Sequence, residues 1–270
     1  MAPRAQWKGY LKFDEISCQV ALYTAASTSE RTSFHTVNKA TGNRVKREFV
    51  DEKTGKPVER SDQVKGYEAD DGHYIILEQD EIDAAVPQSD KILAVDSFVP
   101  LNAVDTVFFD KPYYLAPVDK VGAEAFALIR EGMKARKTAA LAHAVLFRRL
   151  RTLLIRPMEK GLAANTLNFD YQVRSAETAF SDVPAPKMKK EMLQLATHII
   201  DTMSGEFHPA QFEDRYEAAL AELVRAKIEG RAVKRAKPRK EAKVVDLMEA
   251  LRRSAEVVAK PAKKTGSKAA

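Results

Sequence analysis

Between two well-patterned hydrophobic stretches lies a segment that cannot build a core of its own: VNKATGNRVKREFVDEKTGKPVERSDQVKGYE, residues 37–68. Two glycine turns, ATGN and EKTG, predict short polar strands that fold back on themselves. Over residues 31–65 nine cations oppose five acids, and between 37 and 60 only Val37, Val45, Phe49, Val50 and Val58 are core-forming. A ribbon with so little to bury cannot offset the entropy lost on ordering it. Either it is a solvated hairpin, or it lies against a partner of opposite charge.

The rest of the first half reads as strands. Ile16, Cys18, Val20 and Leu22 alternate with Ser17, Gln19, Ala21 and Tyr23, the period of a half-buried strand. GHYIILE, KILAVDSFV, VFFD and YYLAP follow, divided by Asp, Gly and Pro. Short strands with frequent turns favour a barrel or sandwich over a parallel sheet. From about Val121 the period changes and predicts two helices, around 123–134 and 139–148. Alternation returns in TLNFDYQV, where Leu167, Phe169, Tyr171 and Val173 share a face. A helix lying between strands of one barrel accounts for this order.

Two amphipathic helices follow. The first puts Met188, Met192, Leu195, Ile199 and Met203 on one stripe and stops at Gly205. The second has Pro209 near its start, Phe212, Tyr216, Leu220, Leu223, Val224 and Ile228 on its stripe, and Gly230 past its end. Residues 231–243 read as a basic linker, and VVDLMEALRRSAEVV as a short helix whose apolar stripe includes Val244, Leu247, Met248 and Leu251. Such a helix is marginal alone and suited to docking on a partner. The chain ends in a flexible basic tail with Lys260, Lys263, Lys264 and Lys268, a form suited to phosphate binding. The expected organisation is mixed β+α: a barrel core over 1–186 that includes the ribbon 31–65, a helical arm over 187–230, and a basic linker, docking helix and tail over 231–270.

Charge is sorted along the chain. The formal net charge is +6, but residues 231–270 hold thirteen cations against four acids, so the remainder is net acidic. Within that remainder residues 66–110 carry eleven acids against Lys91 alone, and residues 130–160 carry nine bases against two acids. An acidic body with two basic segments and a basic tail points to a polyanion held in a defined place. Cys18 is the single cysteine, which excludes an internal disulfide and a cysteine zinc cluster and fits a reducing compartment. No apolar run approaches the length of a membrane span, so a membrane is not an expected partner.

Catalytic signals are weak. His35, His73, His143, His198 and His208 are scattered without metal-ligand spacing, and glycine-rich phosphate loops are missing. Asp70-Asp71 before Gly72 resembles a nuclease carboxylate pair only loosely and reads better as a turn. Cys18, on the apolar face of its strand, reads as a core residue rather than a nucleophile. The expectation is a protein that is not an enzyme and uses no cofactor or metal. Duplex DNA suits the ribbon better: its cations are not interleaved with aromatics for base stacking, which favours phosphate contacts over single-strand recognition.

At the level of whole motifs the chain resembles the prokaryotic Ku family of non-homologous end joining. The resemblance rests on W-x-G-x-L-x-F with ISCQVALY, then SFHTVNKATGNRVKREFV, VKGYEADDGHYIILE, DTVFFDKPYYLAPV, FHPAQFEDRYEAALAELVRAKIEG and VVDLMEALRRS, in the family's order. It implies a Ku-type β-barrel core whose inserted ribbon forms a bridge, with two subunits closing a ring that threads onto a broken duplex end. Binding would then be independent of sequence and sensitive to salt. The resemblance also implies that VVDLMEALRRS recruits the multifunctional ATP-dependent DNA ligase, with cytoplasmic, nucleoid-associated localisation. Some family members carry Cys-x-x-Cys near the FVDEKTG turn, and neither cysteine is present here.

The expected DNA-binding residues are Lys39, Arg44, Lys46, Arg47, Lys53, Lys56 and Arg60 in the bridge, and Arg148, Arg149 and Arg151 as a second set. LFRRLRTLL could instead place an arginine in an ion pair with the acidic body. The tail lysines Lys260, Lys263, Lys264 and Lys268 would add affinity, and Val244, Leu247, Met248 and Leu251 would dock the ligase. A chromatin-type duplex binder that needs no free end, and a protein-interaction scaffold with an incidental basic tail, are the competing readings.

Overall fold

The structure is a computed structural model that describes residues 4–232 apart from 28, 30, 71 and 86–89. The linker, the 244–258 segment and the lysine tail lie outside the described residues. The chain divides into two compact units, residues 1–178 and 179–270.

The first unit is a closed seven-stranded barrel. In chain order it comprises β1 (Trp7–Phe13), β2 (Ile16–Thr24), a small separate hairpin of β3 (Lys65–Glu68) and β4 (Tyr74–Leu77), α1 (Gln79–Ala85), β5 (Ile92–Pro100), β6 (Phe109–Pro117), α2 (Lys120–Arg136), β7 (Thr138–Leu146), β8 (Arg149–Met158), β9 (Gly161–Leu167) and α3 (Ala176–Ala179). Strand order around the barrel is β1-β2-β6-β9-β8-β7-β5, antiparallel except where β1 meets β5 in parallel and closes the ring. Closure demands a glycine. A Cβ on Gly9 would collide with the Lys91 carbonyl, which accepts the Tyr10 N–H at 2.8 Å, and with the Trp7 ring.

Inward side chains of the strands form one core. It includes Leu11, Val20, Leu22, Leu93, Leu115, Leu153, Ile155 and Leu162, together with Phe126, Ile129 and Met133 from α2. The α2 residues recur at helical spacing, and small inward residues on β7 and β9 (Ala140, Ala142, Ala144, Ala164) leave volume for them. Asp119 caps α2, its carboxylate accepting the Gly122 N–H at 2.6 Å, and Lys137 ends the helix in the left-handed region at φ 54°. Cys18 lies in this core at 2% exposure. Burial, with the Asp119 carboxylate adding to it, pushes its thiol up to about 11, so it stays a neutral core group at physiological pH.

Four sequence expectations need correction. Residues 139–148 are not a helix: β7 runs Thr138–Leu146 and turns into β8 through Phe147 and Arg148, at φ 52° and 66°. Alanine favours helix in isolation, but here it is buried on both faces of a central strand, and that packing overrides propensity. A two-residue hairpin loop with both residues left-handed usually advertises itself as Asn-Gly; this one does not. TLNFDYQV is not one strand either, since β9 ends at Leu167 and Asp170–Gln172 is a 3-10 turn. VFFD and YYLAP are not separate strands: Thr106–Phe108 is a 3-10 turn and Phe109–Pro117 is continuous β6. β6 tolerates Pro112 by bulging opposite Thr166, whose buried hydroxyl accepts the Lys111 N–H at 3.0 Å and bonds the Asp110 carboxylate at 3.1 Å.

The second unit holds α4 (Lys190–Met203) and α5 (Arg215–Ile228). Met188 precedes α4. Pro209 opens only a 3-10 turn, Pro209–Gln211, so Met188 and Phe212 are both off the helical stripes expected of them, the fourth correction. Asp214 decides the start of α5 by accepting the Glu217 N–H at 3.0 Å.

Candidate nucleic-acid interface

The ribbon leaves the barrel after β2 and runs into β3 of the separate β3–β4 hairpin. Among the described residues of 31–65, only Thr32 and Val58 are even half-buried. Phe34 and Phe49 are 63% and 69% exposed, so the ribbon has no core, as its composition requires. It is shaped by backbone and short polar side chains instead. In the first turn the Asn38 N–H donates to the Asn43 carbonyl and the Gly42 N–H to the Asn38 carbonyl, each at 2.8 Å, while the Asn38 side chain accepts the Ala40 N–H at 2.8 Å. Gly42 sits at φ 72°.

The second turn repeats the device. The Asp51 N–H donates to the Lys56 carbonyl at 2.9 Å, and Gly55 sits at φ 65°. The Asp51 carboxylate accepts the Thr54 N–H at 2.7 Å and the Lys53 N–H at 3.0 Å. Hydrogen bonds from Thr54, then the Lys53 N–H and charge, hold the Asp51 carboxyl below the usual carboxylate range. The FVDEKTG turn, without cysteines, is thus fastened by a charged Asx turn.

The ribbon contains no regular strands. Pairing is limited to single bridges, Val37 with Arg44 and Val50 with Pro57, extended by Val45 to Thr36 at 3.1 Å and Val58 to Phe49 at 2.8 Å. The ribbon is therefore two folded loops, 36–45 and 49–58, each reaching about 16 Å at five residues of strand rise. That still exceeds the ~12 Å width of the major groove of duplex DNA.

Lys39 and Arg44 lie in the first loop, Lys46 and Arg47 between the loops, Lys53 and Lys56 in the second, and Arg60 in the 3-10 turn Arg60–Asp62. All seven are exposed, and none is ion-paired to a described residue. Free cations on a coreless scaffold suit phosphate contact, where each neutralised phosphate releases condensed counterions.

The three arginines of the second set stand in different surroundings. Arg148, in the β7–β8 turn, is ion-paired with Asp83 of the acidic α1. The alternative reading of LFRRLRTLL holds for this residue. Its neighbour Phe147 stacks on Tyr113 with centroids 6.5 Å apart, so both residues of the strained turn gain contacts that offset their left-handed backbone. Arg149 is exposed and carries no ion pair to a described residue; Arg151 is half-buried near Tyr113. Burial raises the Tyr113 hydroxyl's pKa, the Asp110 charge adds to the rise, and Arg151 opposes it.

Sequence reasoning missed one exposed feature. The β3–β4 hairpin pairs Tyr67 with Ile75 and Lys65 with Leu77, yet Tyr67, Tyr74, Ile75 and Ile76 are all more than half exposed. YIIL reads as a buried strand, so exposure here had no signal in composition. No cluster of three or more His, Cys, Asp or Glu among the described residues could hold a metal. His143 instead meets Asp96, the extra residue of a β5 bulge, at 2.7 Å. Among the described residues no helix is long and apolar enough to cross a membrane.

A closed barrel thus extends a coreless ribbon whose cations carry no ion pair to a described residue. A family model, the Ku70/Ku80 beta-barrel domain, matches residues 12–195. The protein named non-homologous end joining protein Ku from Cereibacter sphaeroides is 60% identical over 260 residues, spanning 96% of this chain and 97% of that one. Proteins of the same name from a Bradyrhizobium species and from Methylocella silvestris are 42% and 38% identical, covering 94% and 97% of this chain and 87% and 99% of theirs. The chain belongs to the Ku family.

Proposed function

We propose that this chain binds double-stranded DNA ends without sequence specificity and holds them for non-homologous end joining. In this reading two copies join so that their ribbons close a ring around the duplex. The observation that carries it is the ribbon over 31–65: seven exposed cations with no ion pair to a described residue, on a segment with no core, in a chain whose closed barrel belongs to the Ku family. A ring touching only backbone reads phosphate, not bases, which fits the presence of a single aromatic, Phe49, among those cations. Lys39, Arg44, Lys46, Arg47, Lys53, Lys56 and Arg60 make the primary contacts, and Arg149 and Arg151 contribute a second set. Arg148 serves instead as the anchor of α1 to the β7–β8 turn.

The remaining assignments come from sequence beyond the described residues. Lys260, Lys263, Lys264 and Lys268 add affinity, and Val244, Leu247, Met248 and Leu251 dock the end-joining ATP-dependent ligase. The protein works without catalysis or cofactor, organising DNA for an enzyme that supplies the chemistry.

Topological trapping tests the ring. Protein is loaded on a linear duplex, the duplex is ligated into a circle, and the complex is washed at about 1 M salt, where phosphate contacts are screened. A ring stays on the circle and leaves once a restriction enzyme opens it. Release from the closed circle during the wash means that nothing encircles the duplex.

A further inference from the structure

The two loops of the ribbon are one unit repeated. Advancing the first by thirteen positions reproduces the hydrogen bonds of the second. The bond from the Asn38 N–H to the Asn43 carbonyl becomes that from the Asp51 N–H to the Lys56 carbonyl. Likewise Gly42 donates to Asn38 as Gly55 donates to Asp51, each at 2.8 Å. The bridge of Val37 with Arg44 becomes Val50 with Pro57, and the bond of Val45 to Thr36 becomes Val58 to Phe49. Side chains follow the same rule. The Asn38 side chain accepts the Ala40 N–H at 2.8 Å as the Asp51 carboxylate accepts the Lys53 N–H at 3.0 Å. The Thr41 and Thr54 hydroxyls accept the N–H two residues on, at 3.3 and 3.4 Å.

Sequence separates what the repeat keeps from what it lets vary. It keeps the residues that make the turn: valine at 37 and 50, Asn or Asp at 38 and 51, threonine at 41 and 54, and glycine at 42 and 55, with φ of 72° and 65°. The cations inside the units are not kept. Lys39 has Glu52 at its place and Arg44 has Pro57, while Lys53 and Lys56 stand where the first unit has Ala40 and Asn43. The shared feature is therefore a fastened turn, and each unit hangs its own pair of cations on it.

Asp51 sets that fastening against charge. It is an exposed carboxylate two residues from Lys53 and five from Lys56, where its charge repels a phosphate. The neutral Asn38 makes the same turn in the first unit. A carboxylate is the stronger acceptor, and Asp51 takes both the Lys53 and the Thr54 N–H. With no core beneath it, the ribbon depends on such bonds to limit its conformations, and a segment already held in its binding shape loses less entropy on binding.

We propose that Asn38 and Asp51 are positioning residues for duplex binding: each fastens its turn before DNA arrives, so that Lys39 and Arg44 in one unit and Lys53 and Lys56 in the other meet phosphates already ordered. This rests on the reading of the ribbon as the DNA-contacting segment. The two units act independently, and both side chains act through the cations rather than by touching DNA.

The test is duplex affinity against salt, with backbone amide exchange of the free protein, for alanine and conservative variants of the full chain. Asp51→Ala should speed exchange at Gly55 and Lys56 at least about fivefold and weaken duplex binding about fivefold, although it removes a negative charge. Its salt slope should stay within about 0.3 of the parent value, because the same phosphates are neutralised. Asn38→Ala should behave alike in the first unit, and the double variant should lose the product, about 25-fold. Asp51→Asn, which keeps the acceptor and drops the charge, should restore slow exchange and bind at least as tightly as the parent. Asp51→Ala that binds duplex as well as the parent, or better, overturns the proposal, because charge then decides alone. So does Asp51→Asn that binds as weakly as Asp51→Ala, which would give the carboxylate charge itself a part. The triple alanine variant of Arg44, Lys46 and Arg47 is measured beside them. Its salt slope falls only if the ribbon contacts DNA, so a failure of the fastening is told apart from a failure of the ribbon reading.

Discussion

Replacing Arg44, Lys46 and Arg47 together with alanine weakens duplex binding about 100-fold at roughly 150 mM salt and lowers the log–log salt slope by about 2.7. The size follows from counterion release. Each lost phosphate contact removes about 0.9 from the slope, and at that salt each is worth about 0.7 of a decade in affinity. The fold should be untouched, because all three side chains are exposed and none is ion-paired to a described residue. Arg148→Ala is the contrasting control. Its side chain is engaged with Asp83, so its loss should leave the slope within about 0.3 of the parent value. Affinity titrations at five salt concentrations read both. An unchanged slope in the triple variant would remove the ribbon from the DNA.

The second large effect lies in the C-terminal segment. A chain cut before Glu241 should still bind duplex but should stimulate the end-joining ligase no more than buffer does. The stripe of Val244, Leu247, Met248 and Leu251 is the part of the chain suited to docking on a partner. The cut also removes the tail cations, so a second chain lacking only residues 260–270 separates the two roles. That chain should keep ligase stimulation while its salt slope falls by up to about 3.6, the contribution of four phosphate contacts. Leu247→Asp with Leu251→Asp in the full chain should reproduce the loss of stimulation without any change in slope. Ligation assays with purified ligase measure all three. Normal stimulation by the chain cut before Glu241 would refute the docking assignment.

Period and turn chemistry read correctly where one physical effect dominated. β2 shows its period because Cys18, Val20 and Leu22 pack in the core while Ser17, Gln19 and Tyr23 opposite them keep some exposure, Ala21 alone being buried on that side, and the helix before Lys137 shows its stripe because Phe126, Ile129 and Met133 are buried together. The ribbon was readable from what it lacks: a few scattered apolar residues among nine cations can only be a segment that packs on nothing of its own. Misreadings fell where tertiary context overruled local preference. β7 is alanine-rich because its inward positions must make room for α2, and its turn uses Phe147-Arg148 where sequence rules look for Asn-Gly. The partnership of Arg148 with Asp83, 65 positions earlier in sequence, depends on strand pairing that one sequence does not specify.

The ring is the central claim, and competition between DNA topologies tests it most directly. A linear duplex, the same duplex with both ends closed by bulky hairpin caps, and a covalently closed circle compete for the protein at one salt concentration. A threading ring prefers the open linear form by at least about tenfold, because the caps and the circle offer the same phosphates but no entry. Equal affinity for all three would contradict it and leave a groove or tail binder of the chromatin type in its place.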